Sequence, residues 1–145
     1  MSKYIVSPVP IQLVDYLWSA IENHLARVVA IAEDEISLSS IHDKIISGKT
    51  LLLVVINRDT NIIVSAIVVE KITYENGMSA LVMPIVGGDE MDGWLEQSLE
   101  VAKGIAKDIG CTELRGLGAR RGWLRKLKNH GWEEAYTVIK CKLED

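Results

Sequence analysis

Six basic side chains, Arg115, Arg120, Arg121, Arg125, Lys126 and Lys128, fall between Arg115 and His130 with no acid among them. Guanidinium and ammonium groups collected on a few helical turns can hold phosphate or another anion, and the same footprint can serve nucleic acid. Elsewhere the balance is reversed. The rest of the chain carries ten basic and twenty acidic residues, so the net charge of −4 describes a positive patch on an acidic body. An isoelectric point near 5.4, with no helix-turn-helix, zinc-finger or RNP-type pattern, disfavours nucleic acid. A solvated helix face that offsets the acidic remainder is the expectation, and anion or nucleic-acid binding through Arg120, Arg121, Arg125 and Lys128 is its competitor. Other reactive side chains are dispersed. His24, His42 and His130 fall in different elements without a third partner at any useful spacing, which gives neither a metal set nor a triad. Cys111 and Cys141 lie 30 residues apart with no Cys-x-x-Cys, so both are expected to be buried free thiols. Ser39 and Ser40 read as helix caps, not nucleophiles.

The elements that must position these groups follow from hydrophobic period. Ile11, Val14, Leu17/Trp18, Ile21, Leu25 and Val28/Val29 recur every three or four residues and predict a helix over 10–32. A second short helix follows from Ser39 or Ser40, with Ile41, Ile45 and Ile46 inward and Gly48 as its stop. The period then changes. Residues 51–56 and 62–72 are aliphatic and β-branched around the turn residues Asn57-Arg58-Asp59-Thr60-Asn61, and Asn76-Gly77 leads to a third strand over 78–86. These make a three-strand antiparallel meander. Met91, Leu95, Leu99, Ala102, Ile105/Ala106 and Ile109 mark a long amphipathic helix closed by Gly110. A short strand at 111–117, a basic helix at 119–130 with Trp123, Leu124 and Leu127 inward, and a final strand at 132–143 complete the order, with a further short strand possible at 4–6.

The chain has 145 residues, 48% apolar and 25% charged, with 11 Gly, 3 Pro and no Phe. That is the balance of one ordinary folded domain, here 1–145, with a core of Ile, Val and Leu and the four Trp as its large pieces. No window approaches the roughly 20 apolar residues that span a bilayer. The start, MSKYIVSPVPIQ, lacks a sustained apolar run, so a soluble, cytoplasmic protein without a membrane partner is expected.

This order of elements resembles the GNAT N-acyltransferase superfamily, over nearly the whole chain and best over 81–143. LVMPIVGGDEMDGWLEQSLEVAKGIAKDIGCTEL is similar to that family's central strand, turn, long helix and fifth strand. RRGWLRKLKNHGWEEAYTVIKCKL is similar to its later helix, with a Gly-aromatic exit at Gly131-Trp132, and to its closing strand. The resemblance implies an α/β fold with a mixed, mostly antiparallel sheet flanked by helices on both faces. It also implies an acyl-CoA whose pyrophosphate sits between central strand and long helix, where glycines admit the phosphates to backbone N–H groups and a helix N-terminus adds positive potential. The residues so assigned are Ile85, Val86, Gly87, Gly88 and Gly93, with Arg120 and Arg121 nearby.

The loop Gly87-Gly88-Asp89-Glu90-Met91-Asp92-Gly93 departs from the family's Arg/Gln-x-x-Gly-x-Gly/Ala pattern. The Arg/Gln is missing, and Asp89, Glu90 and Asp92 set three negative charges where two phosphates belong. Acids at a helix start need no ligand, because they complement its dipole. Leu127 occupies the position at which the family often places a proton-donating Tyr, and the strand over 78–86 holds no Glu or His to act as base. Glu70 and Tyr136 are the remaining catalytic candidates, against bland readings as a solvated strand-end carboxylate and a packed Tyr. Pro84 fits the splay of the family's central strand from its parallel neighbour, the gap that takes the acyl-pantetheine arm. Glu33-Asp34-Glu35 falls, by resemblance, on the acceptor side of that gap, or is a solvated loop.

These departures favour a GNAT-fold protein with an eroded acyl-CoA loop and no cofactor, turned to binding or assembly through a protein partner or self-association. The segment GWLRKLKNHGW also resembles small bacteriophage GNAT-like proteins. The alternative is an N-acetyltransferase that takes acetyl-CoA or another acyl-CoA on backbone amides of residues 85–88 and passes the acyl group to an amine.

Overall fold

A computed structural model of the chain describes residues 2–31, 36–117 and 121–143. The elements are β1 (Tyr4–Pro8), α1 (Ile11–Ile31), α2 (Leu38–Ile46), β2 (Leu51–Asn57), β3 (Ile62–Thr73), β4 (Ser79–Gly88), α3 (Met91–Asp108), β5 (Glu113–Gly116) and α4 (Arg121–Lys128). The five strands lie in the order in which the chain makes them, antiparallel from β1 to β4 and parallel between β4 and β5. The expected meander is therefore present, and the short strand at the start extends to Pro8 as an edge.

Strict alternation on β2 and β3 divides the interior in two. Leu53, Val55, Ile67 and Val69 join Trp94, Leu95, Leu99, Ala102 and Ala106 of α3 and Leu127 of α4 on one face. Leu52, Val54, Ala66 and Val68 join Val14, Ile21 and Leu25 of α1 and Ile41 and Ile45 of α2 on the other. Trp94 is fully buried, whereas Trp18 and Trp132 are only partly so. No helix of the described residues is long and apolar enough to cross a membrane.

Three expectations are corrected. Helix α2 is capped by Ser37, not by Ser39 or Ser40: the Ser37 hydroxyl accepts from the Ser40 N–H at 3.1 Å, and the Ser40 hydroxyl accepts from the Ser37 N–H at 3.0 Å. Ser40 is thus the far half of a reciprocal capping pair. Cys111 is buried as expected, but Cys141 is exposed. The reason is the third correction: residues 132–143 alternate like a strand yet join no ladder. After Gly131 (φ +84°) the chain turns so that Trp132 packs against Gly116, at the end of a β5 only four residues long. Little strand is left there to pair with.

The register around Pro84 is irregular on both sides. Toward β3, Val68 pairs with Ile85 and Glu70 with Val82, so Met83 and Pro84 oppose Val69 alone. Toward β5, the parallel pairs run from Ala80–Glu113 to Met83–Gly116 and end there. A residue without an N–H fits a bulge whose other side has no partner strand. Beyond it, residues 84–88 of β4 continue past the last residue of β5, so the β4–β5 ladder ends next to Pro84.

Candidate functional site

The β4–α3 junction follows directly from that extended end of β4. Ile85, Val86, Gly87 and Gly88 continue the ladder with β3, opposite Val68, Ile67, Ala66 and Ser65. The Asp89 N–H then donates to Val64 O at 2.8 Å, and the Gly93 N–H to Glu90 O at 2.9 Å. Two of the amides that a phosphate could approach are therefore taken by the backbone itself. Between them Glu90 adopts a left-handed conformation, φ +60°, as the N-cap residue of α3, and its side chain makes no capping bond. A non-glycine residue holds such a conformation where its surroundings fix it.

Those surroundings come from the opposite end of the sheet. Tyr4 Oη donates to Glu90 Oε1 at 2.8 Å, and Asn57 Nδ2 lies 3.4 Å from the same oxygen. The bond to Glu90, with burial and nearby negative charge, raises the Tyr4 pKa above the ordinary tyrosine value. Asn57, itself buried, also accepts from the Asp59 and Thr60 N–H groups, which ties the β2–β3 turn to the same point. The Tyr4 ring lies directly over Gly93, where a Cβ would come within 2.7 Å of it. Gln97 adds a bond to Tyr4 O at 3.0 Å and accepts from Ser2 Oγ at 2.6 Å.

The other two acids are held from different elements. Asp89 pairs with Arg27 of α1 at 2.7 Å, a bond that lowers the Asp89 pKa and raises that of Arg27. Its backbone oxygen accepts from Trp94 Nε1 at 2.6 Å. Asp92 pairs with Lys126 of α4. All three carboxylates that precede or open α3 thus meet donors from β1, β2, α1 and α4. A shallow recess of about 230 Å³ lies beside the last pair, lined by Asp92, Leu95, Glu96, Lys126, Asn129 and His130. It falls below the usual size of small-molecule sites.

Of the residues assigned to an acyl-CoA, Gly87 and Gly88 stand at the expected end of β4, whereas Gly93 is used to seat Tyr4. Arg120 lies outside the described residues, as does the acidic loop 33–35, and Arg121 opens α4. Of the two catalytic candidates, Glu70 is not a solvated carboxylate: it is largely buried and paired with Lys44 of α2 at 3.3 Å. Tyr136 is 68% exposed and so is not the packed core Tyr that was expected. Leu127 is buried in the α3-side core. The basic run is partly spent on local partners: Arg115 pairs with Glu113 at 2.5 Å and stacks over Tyr74 at 4.4 Å, and Lys128 lies 3.9 Å from Glu134.

Sequence reading missed Tyr4, Arg27, Asn57 and Gln97, whose roles depend on contacts between distant segments. It also missed His24, which is buried with one ring nitrogen 3.1 Å from Ile63 O and the other unpartnered. No group of three or more His, Cys, Asp or Glu among the described residues is arranged to hold a metal.

Solved structures similar to this one include several acetyltransferases. A predicted acetyltransferase from Clostridium acetobutylicum, solved with acetyl-CoA, superposes with a TM-score of 0.68 at 10% identity, covering 96% of each chain. An aminoglycoside acetyltransferase from an uncultured soil sample, in complex with trehalose, gives 0.68 at 10% identity over 98% of this chain and 97% of that one. A GNAT family acetyltransferase from Staphylococcus aureus gives 0.65 at 12% over 99% and 100%. No protein-family model and no curated sequence matches the chain. The fold is that of the GNAT acetyltransferases, as a mixed five-strand sheet between helices. At the junction before α3, Asp89 and Asp92 are paired with Arg27 and Lys126, and Glu90 accepts from Tyr4.

Proposed function

We propose that this GNAT-fold protein works by binding or assembly, with the position of an acyl-CoA pyrophosphate given over to contacts within the chain. One observation carries the reading: Asp89, Glu90 and Asp92 are each bound by a donor from another element, Arg27, Tyr4 with Asn57, and Lys126. A dianionic pyrophosphate entering there would face three carboxylates and would have to break those bonds. The left-handed Glu90 and the Tyr4–Gly93 contact support the same reading, since both lock the junction without a ligand. The family likeness to bacteriophage GNAT-like proteins belongs with it as a source of expectation.

The N-acetyltransferase reading has in its favour the fold itself, shared with an acetyltransferase solved with acetyl-CoA, and the continuation of β4 through residues 84–88 beyond its last pair with β5. Thermal unfolding with and without millimolar acetyl-CoA separates the two, with desulfo-CoA and ATP as controls. Anything that binds the native state alone raises its melting temperature. No CoA-specific rise is expected. A rise with acetyl-CoA and desulfo-CoA but not ATP, abolished by Gly88→Glu, overturns the proposal in favour of the enzyme.

A further inference from the structure

Strand β1 is one edge of the sheet, and its register with β2 fixes which of its backbone groups point away. The Arg58 N–H donates to Lys3 O at 2.8 Å and the Val9 N–H to Leu52 O at 2.9 Å, and the pairs between them run from Tyr4–Asn57 to Pro8–Leu53 without a shift. Bonded residues alternate along an antiparallel ladder, so Lys3, Ile5, Ser7 and Val9 turn their backbone groups toward β2, and Tyr4, Val6 and Pro8 turn theirs outward. A row of outward groups is a template for another strand. Between Tyr4 and Ser7, β1 carries no charge, bulge or Pro to spoil that template, and only at Pro8 is an outward N–H missing.

Tyr4 is closed by side chains instead. Its N–H donates to Ser2 Oγ at 3.1 Å, the Ser2 hydroxyl donates to Gln97 Oε1 at 2.6 Å, and Gln97 Nε2 donates back to Tyr4 O at 3.0 Å. In this ring a primary amide held on α3 supplies a donor directly and an acceptor through one hydroxyl, which is what the peptide group of a neighbouring strand would supply. Among the described residues, Val6 alone keeps both outward groups without a partner.

We propose that the Gln97 amide, with the Ser2 hydroxyl, stands in for an added strand at Tyr4 and closes the β1 edge against pairing with β1 of a second copy. An antiparallel two-fold axis at Val6 would set Val6 against Val6, Ile5 against Ser7 and Tyr4 against Pro8, with Lys3 opposite Val9, so no like charges oppose such a pair. Its outer bonds would run from the Tyr4 N–H of each copy to Pro8 O of the other. With Tyr4 occupied, those bonds are lost and the open edge shrinks to one residue, less than the shortest usual strand. The inference goes beyond the proposed function and concerns the backbone of β1, so it stands whether or not acyl-CoA binds.

The test is the mass of the full chain in solution, by light scattering after gel filtration, from micromolar to hundreds of micromolar. Ser2→Ala with Gln97→Ala removes the ring, and its mass is expected to rise with concentration to at least twice the wild-type value. Ser2→Ala alone frees the Tyr4 N–H without touching α3, and the same rise is expected at higher concentration. Adding Val6→Pro to the double variant removes an N–H that β2 does not use, and is expected to restore the wild-type mass with an unchanged far-UV circular dichroism spectrum. Amide hydrogen exchange locates the contact: the Val6 N–H should exchange freely in the wild type at every concentration, and be protected in the concentrated double variant. A double variant that keeps the wild-type mass and a freely exchanging Val6 throughout overturns the inference. So does association that Val6→Pro leaves intact, or Val6 protection that grows with concentration in the wild type.

Discussion

Asp89 illustrates how a residue that looks like a defect can be structural. Its carboxylate is bound by Arg27, and that bond holds its pKa below the ordinary aspartate value. A depressed folded pKa means that the bond's contribution is present above the unfolded pKa, about 3.9, and is lost as pH falls through the folded value. Urea midpoints of wild type and Asp89→Asn should therefore differ at neutral pH, by the small amount typical of exposed pairs. They should converge below about pH 4. A difference that persists into strong acid would show that the ion pair is not its source. The acids themselves were legible in the sequence, and their suitability for a helix start was sound chemistry. Their partners were not, because Arg27 is 62 residues from Asp89 and Tyr4 is 86 from Glu90, and period and spacing carry no information over such distances.

At the scale of elements, the junction of β1 with α3 depends on one missing side chain. Gly93 lets the Tyr4 ring lie on the first turn of α3, and a Cβ there would meet a ring carbon at 2.7 Å and the Tyr4 hydroxyl at 2.8 Å. Gly93→Ala is expected to lower stability by about 1–3 kcal/mol, the usual cost of overpacking a filled contact. Chemical denaturation of Gly93→Ala, Tyr4→Ala and the double variant checks this: the second substitution should cost less in the presence of the first. Additive losses would mean that the two residues do not meet. Helices and strands with strong periods were readable with near-correct bounds, since α1 and α3 each bury one face and β2 and β3 are aliphatic runs covered on both. The last strand was not, because residues 132–143 alternate like a strand yet join no ladder among the described residues. Pro84 sits between these cases: the missing N–H foretold a break in the ladder, and the register places a bulge on one side of it and the end of β5 pairing on the other.

The whole molecule is a sheet with a separate apolar layer on each side, and its strands are not equally protected. β2 and β3 are paired on both edges and covered on both faces, whereas β1 and β5 are edges with short ladders. Amide hydrogen exchange should therefore be slowest at residues 53–55 and 66–69 and faster in β1 and β5. Equal protection of β5 and β3 would contradict this order. The Tyr4 hook has one more consequence, in time and not in energy. Residues 2–8 find their partners at residues 53–57, 90, 93 and 97, so β1 can join β2 before α3 is made but gains its Tyr4 contacts only afterwards. Until α3 is present, β1 is held by its ladder with β2 alone, and this edge of the sheet stays open for as long as the following segments take to be made.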